Sequence, residues 1–312
     1  MKKFLSTIDI TREEWLRARK KGITGTDAAA IVGVSPFKSA VDVFIDKKTP
    51  EPEIVDNERL RLGRDLENYV ASRFEEETSL KLKKTDAIYQ SDENKFQLAD
   101  FDRFVEGENA IVELKTVSPY AADEWLDKVP IYYQFQCQHY LAVSDANCCY
   151  IAALILGQDF IIRKINREPQ VIQALTDFEK DFWENNILNG VIPEPNGSDA
   201  CAQAISGLYP HQNDENSVDL NSYSDLLAER QELDEQIKKL TCQKNQIDQK
   251  IKLELKNSPY GFSENFKVSW KETKQTKFDV SEFKNTHPEL YNNFLKTTST
   301  RRFLIKNIGG KK

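Results

Sequence analysis

The run Ala110-Ile111-Val112-Glu113-Leu114-Lys115 sets a carboxylate and an amine two residues apart in an otherwise apolar segment. A β-strand sends alternate side chains to opposite faces. Glu113 and Lys115 therefore share one face, and Leu114 enters the core from the other. Phe101–Val105 and Ala110–Leu114 read as a hairpin around Glu106-Gly107-Glu108-Asn109, which brings Asp102 beside Glu113. Two adjacent carboxylates repel unless a cation lies between them. Hard oxygen ligands of this kind suit a divalent ion, with the backbone carbonyl of Leu114 as a further donor. Such an ion, with Lys115 to orient or activate water and to stabilise developing charge, is the equipment of phosphodiester hydrolysis.

Helical signals flank these strands. Thr11-Arg12-Glu13-Glu14 is a capping box that starts a helix through Trp15, Leu16 and Ala18. Gly22-Ile23-Thr24-Gly25-Thr26-Asp27 breaks it, and a short helix follows from Asp27 to Val34. Helical periodicity runs from Asn57 to Glu77, from Pro130 to Val143 and from Pro169 to Leu188. Further strands are expected at Ala87–Tyr89 and Phe96–Ala99, with a hairpin of Cys149–Leu156 and Phe160–Ile165. This order predicts an α/β (α+β) core, a mixed sheet flanked by helices, with no repeated βαβ unit.

Pro193 to Asp219 is rich in Pro, Gly, Asn, Ser and Asp. We therefore expect a core over 1–195, a linker over 196–219, and an accessory module over 220–312. In that module Leu226, Leu233, Leu240 and Ile247 sit seven apart, with Ile237 and Ile251 beside them, a coiled-coil or helical-hairpin seam. Beyond it, strands are expected at Phe266–Trp270 and Arg302–Ile305, giving a small α+β unit. The net charge is −7, yet residues 256–312 hold 12 Lys and Arg against 5 Asp and Glu. A segregated positive charge of this kind is compatible with nucleic-acid binding.

The five cysteines, Cys137, Cys148, Cys149, Cys201 and Cys242, fit no zinc or disulfide spacing, and three scattered histidines argue against a histidine metal site. No apolar run reaches membrane-spanning length, and no signal peptide is visible. A cytoplasmic protein is expected.

Four motifs in order carry a resemblance. They are Gly22 to Gly33, Gly63-Arg64-Asp65-Leu66-Glu67, Asp102 with Glu113 and Lys115, and the helix bearing Gln134, Gln136, Gln138 and Tyr140. Together they resemble the YqaJ-type viral recombinase family, the family of phage lambda exonuclease within the PD-(D/E)XK nuclease superfamily. The resemblance covers roughly residues 10 to 195 and implies a PD-(D/E)XK core. It implies Glu67, Asp102 and Glu113 as metal-binding carboxylates and Lys115 as the catalytic lysine. It implies a catalytic glutamine at Gln138, with Gln136 as the competing register. Arg19 and Thr26 match residues that grip a terminal 5′-phosphate, with Lys20 a rival for the arginine. Arg103 stands where the family has glycine, and Asp100 competes with Asp102 as ligand.

The activity so implied is a Mg2+-dependent (Mn2+ substituting) 5′→3′ exonuclease on linear duplex DNA ends, with two ions per site. It would release 5′-mononucleotides and leave 3′ single-stranded tails for recombination. A homotrimeric ring and a RecT-type single-strand annealing partner are implied as well. The alternatives are a PD-(D/E)XK endonuclease or Cas4-like nuclease, and a catalytically silent DNA-binding or scaffold module.

Overall fold

The computed structural model describes residues 1–52, 56–212 and 217–308. The chain divides into two compact units, Met1–Pro210 and His211–Lys312. In chain order the first unit contains β1 (Lys2–Ser6), α1 (Arg12–Arg19), α2 (Gly25–Ile31), α3 (Ala40–Lys48) and α4 (Glu58–Thr78). There follow β2 (Leu82–Lys84), β3 (Ala87–Gln90), β4 (Leu98–Ala99), β5 (Arg103–Val105) and β6 (Ala110–Val117). The unit continues with α5 (Ile131–Ser144), β7 (Cys148–Ile155), β8 (Asp159–Asn166), α6 (Pro169–Asp181) and α7 (Asp199–Leu208).

The main sheet has the order β2-β5-β6-β7-β8. β5 and β6 form the expected antiparallel hairpin, with Arg103 opposite Val112 and Phe104 opposite Ile111. β6 and β7 are parallel, Glu113 facing Ile151 and Lys115 facing Ala153. A parallel pair needs a long crossover, and α5 lies within it. A second sheet, β1-β3-β4, completes the unit. This is the mixed sheet flanked by helices that the sequence predicts.

Alternation along β6 sorts its side chains into two layers. Val112 and Leu114 pack with Val70, Ala71 and Phe74 of α4. Ile111 and Val117 pack with Cys137, Tyr140 and Leu141 of α5. Glu113 and Lys115 thus open on the α5 side of the sheet. Phe74 is fully buried, so its truncation to alanine would cost about 3–5 kcal/mol. That packing fixes the strand that carries the charged pair.

Thr11 caps α1 with the expected reciprocal bonds to Glu14. β1, α3 and β2 are elements that periodicity does not reveal. Within 196–219, expected as linker, α7 begins at its Ser198 cap and buries Cys201 and Ala204 against Val41 of α3. The helix expected from Pro169 to Leu188 is α6 followed by a π-helical turn, Phe182–Leu188.

The second unit is built on α8 (Ser224–Leu255), 32 residues long. A hairpin of β9 (Tyr260–Phe262) and β10 (Lys267–Ser269) follows, and its Gly261 lies under the buried Leu255. Leu226, Leu233, Leu240 and Ile247 stay exposed along α8. Arg302–Ile305 forms no strand. Among the described residues no helix is long and apolar enough to cross a membrane.

Candidate active site

Asp102 lies immediately before β5, beyond the last pairing of β5 with β6. Leu114 N–H donates to its Oδ2 at 2.7 Å. A strand residue directs its N–H and C=O to the same edge, so the Leu114 carbonyl faces the same edge as Asp102. Glu113 is buried and comes from the adjacent position of β6. Its Oε1 accepts from Lys115 Nζ at 2.5 Å and from Gln136 Nε2 at 2.7 Å. Its Oε2 is buried with no hydrogen-bond partner. A buried carboxylate oxygen without a donor is costly, and this one is an open ligand position.

Burial pushes the Asp102 carboxyl well above the usual range, and the neighbouring Glu113 pushes it further. Burial likewise raises Glu113, against the pull of Lys115. Both carboxylates are held in want of positive charge, as expected of a cation site. Burial works against the Lys115 charge, but Glu113, Tyr133 and Asp102 together hold its pKa above the ordinary lysine value. Its ammonium also lies 4.9 Å from the Tyr133 ring centre. These neighbours thus favour the charged form of Lys115 against its burial.

Glu67, on α4, lies near enough for its charge to raise the Asp102 carboxyl further. Among the described residues no group of three His, Cys, Asp or Glu side chains converges as a metal cluster. Instead Glu67 Oε1 accepts from Arg103 Nη1 at 2.6 Å. Arg103 also donates to the Asp102 carbonyl and to Asn68 Oδ1, each at 2.9 Å. The arginine that replaces glycine is thus a buried clamp between α4 and the Asp102 turn. Asp102 and Glu113, with the Leu114 carbonyl, are the groups whose chemistry fits a divalent cation directly, and Glu67, paired to Arg103 and acting on Asp102, lies beside them.

The structure corrects the glutamine register. Gln138 turns away from the site: its Nε2 donates to the Asn166 carbonyl at 2.9 Å and its Oε1 accepts from Glu168 N–H at 3.2 Å. Residues two apart on a helix point in nearly opposite directions, so Gln136 takes the place beside Glu113. Asp100 and Asp102 also separate. Asp100 is ion-paired to Arg19 and accepts from Tyr140 OH at 3.3 Å.

Arg19 Nη2 donates to Thr24 Oγ1 and to Thr26 Oγ1, both at 3.0 Å. Its guanidinium stacks 4.4 Å from the Trp15 ring centre. Lys20 is engaged elsewhere, donating to Asp46 Oδ1 at 2.8 Å. Thr24 was not singled out by sequence, although Thr24 and Thr26 flank the glycine of the break. That glycine is needed: a Cβ on Gly25 would lie 2.5 Å from Tyr140 Cε1. Asp27 beneath it is buried, yet Lys47, Lys38 and Arg19 hold its carboxyl well below the usual range against that burial.

His139 is a structural residue. Its Nδ1 lies 2.7 Å from Glu179 Oε1 and its Nε2 lies 2.8 Å from the Leu98 carbonyl. All five cysteines are free.

A family model described as the YqaJ-like viral recombinase domain matches residues 14–147. The uncharacterized protein YqaJ of Bacillus subtilis (strain 168) is 33% identical over 305 residues, 96% of each chain. Among solved structures, the alkaline exonuclease of Laribacter hongkongensis superposes with a TM-score of 0.50 at 18% identity, covering 57% of this chain and 93% of that one. The same enzyme in complex with dAMP gives 0.50 at 19%, with the same coverage. At that identity the likeness concerns the fold alone, a mixed sheet flanked by helices.

Proposed function

The chain belongs to the YqaJ-like viral recombinase family, and we propose that it is a magnesium-dependent exonuclease acting on the ends of duplex DNA. The observation that carries this is the buried pair Asp102 and Glu113, with Glu113 Oε2 lacking a partner, beside Lys115, whose Nζ donates to Glu113 Oε1 at 2.5 Å. The solved alkaline exonuclease of the same fold supports the reaction class.

A divalent cation, were it bound there, would supply Lewis acidity to the phosphoryl oxygen and would lower the pKa of the attacking water. Asp102, Glu113 and the Leu114 carbonyl would hold it. Gln136 fixes the Glu113 carboxylate through its 2.7 Å bond, which holds the ligand geometry without adding charge. Lys115 presents its amine on the same strand face as Glu113, where it would stabilise negative charge developing on the scissile phosphate. Arg19 and the Thr24 and Thr26 hydroxyls offer donors of the kind that grip a terminal 5′-phosphate. They favour 5′→3′ degradation with release of 5′-mononucleotides and 3′ single-stranded tails.

Magnesium, with manganese as substitute, is the proposed cation. A homotrimer working with a RecT-type annealing protein in the cytoplasm is the proposed setting. The test is incubation of linear and covalently closed circular duplex with the protein and magnesium. Linear DNA should release mononucleotides and leave single strands while the circle persists. Cleavage of both would make it an endonuclease, and persistence of both would make it a binding module.

A further inference from the structure

Seven residues form one unbroken line of polar contacts between the Arg19 pocket and the carboxylate pair. Thr24 and Thr26 accept from Arg19 Nη2, and the other amino group of Arg19 is ion-paired to Asp100 Oδ2. The second oxygen of Asp100 accepts from Tyr140 OH at 3.3 Å. Tyr140 OH in turn accepts from Gln136 Nε2 at 3.0 Å. The same nitrogen donates at 2.7 Å to Glu113 Oε1.

The chemistry of these groups fixes the direction of each bond. An ionised carboxylate only accepts and an amide nitrogen only donates, so both Gln136 protons are committed, one to Glu113 and one to Tyr140. The Tyr140 hydroxyl must then donate onward to Asp100. Tyr140 and Gln136 are buried, and Gly25 leaves no room for the ring to swing, since even a Cβ would lie 2.5 Å from it. The line has no slack at its centre. Its loose end is the ion pair, where Asp100 occupies donors of Arg19 that a phosphate would also use.

We propose that Asp100 and Tyr140 are positioning residues that couple occupancy of the Arg19 pocket by a terminal phosphate to the placement of Glu113, resting on the nuclease function proposed above. A phosphate taken up by Arg19, Thr24 and Thr26 competes with Asp100 for the guanidinium. A carboxylate that loses its cationic partner draws harder on its remaining donor, Tyr140 OH. The pull passes through Gln136, which has no spare proton, to the Glu113 carboxylate. A correct DNA end thereby sets the ligand geometry at the scissile bond, and an end without phosphate does not.

The experiment compares linear duplexes bearing 5′-phosphate or 5′-hydroxyl ends, measuring single-turnover cleavage with magnesium and end binding with calcium. In the unmodified protein both the rate and the affinity should favour the phosphate. Tyr140→Phe removes the hydroxyl and keeps the ring. It should retain the affinity preference and lose the rate preference, a fall of about tenfold on phosphate ends, the worth of one hydrogen bond in a transition state. A Tyr140→Phe protein that keeps its full rate preference overturns the relay. One that loses both preferences also overturns it, because Tyr140 is then part of the binding pocket. Should Tyr140→Phe fail to fold, Asp100→Asn decides by the same two readouts. No preference for phosphate in the unmodified protein overturns the coupling while leaving the nuclease standing. No cleavage of either duplex overturns the nuclease function itself.

Discussion

Truncating Glu67 to alanine should unsettle the fold as well as the site, because Arg103 depends on it. The Arg103 side chain is 5% exposed and its partner carboxylate 29% exposed. Removal of Glu67 leaves the guanidinium with the Asp102 carbonyl and Asn68 as its remaining partners. A hydrogen bond to a charged group is worth about 1.5–3 kcal/mol, and stripping one partner from a fully buried ion pair costs about 3–5 kcal/mol. Water can enter where the part-exposed carboxylate stood, so the upper part of the smaller range applies, about 2–3 kcal/mol. For a unit of this size each kcal/mol moves the melting temperature by roughly 2–4 °C. Glu67→Ala should therefore melt about 4–12 °C lower than the unmodified protein, while Glu67→Gln, which keeps an acceptor, loses less than half of that. Thermal denaturation followed by circular dichroism measures both. The Glu67→Ala, Arg103→Ala double-mutant cycle should show coupling of at least about 1 kcal/mol. A Glu67→Ala protein melting within about 1 °C of the unmodified one, or an additive cycle, would refute the clamp.

Burial opposes the His139 charge, but Glu179, the Leu98 carbonyl and Asp27 hold its pKa above the ordinary value. Its stabilising contribution is thus complete below the unfolded value of about 6.5 and is lost as pH rises through the raised folded value. Melting temperatures of the unmodified protein and His139→Gln should differ most on the acid side and converge as pH rises; a gap that widens with pH contradicts the pair. Gly25→Ala drives a methyl into the Tyr140 ring and should cost about 1–3 kcal/mol by overpacking, read as a lower denaturant midpoint at unchanged slope. Calcium should raise the melting temperature of the unmodified protein by mass action. Asp102→Asn should melt higher without cation, since it relieves one of two adjacent buried carboxylates, and should respond less to calcium; an undiminished calcium response would remove Asp102 from the cation site.

Much of this site was legible because a strand has period two. Glu113, Leu114 and Lys115 sort to opposite faces with no further information, and the short turn at Glu106–Asn109 places Asp102 at hand. The glutamine was not settled that way, since choosing between Gln136 and Gln138 requires the rotation of α5 about its axis. One signal was present: Tyr133, Gln136 and Tyr140 follow a 3,4 spacing, the spacing of one helix face, and all three turn towards the site. Asp100 and Asp102 share a strand period and were separated only by their partners, Arg19 and Leu114 N–H. α3 could have been found from its Ser39 and Asp42 capping box. β1 could not, because it pairs with β3 more than 80 residues away and has no local signature. α7 was hidden by the Pro-rich and Gly-rich stretch around it, and only its burial against Val41 reveals it. In the second unit the heptad spacing correctly marks one long helix but does not say what its apolar seam meets.

The central claim is that Glu113 holds the cation that cleaves DNA, and a single-turnover assay of Glu113→Gln on 5′-labelled linear duplex with magnesium tests it most directly. The substitution keeps the shape and the buried position, so folding is checked alongside by its melting curve. Loss of a ligand that stabilises the transition state by several kcal/mol predicts a fall of roughly a thousandfold or more in rate with the fold retained. A folded Glu113→Gln protein that cleaves within about tenfold of the unmodified rate would contradict it.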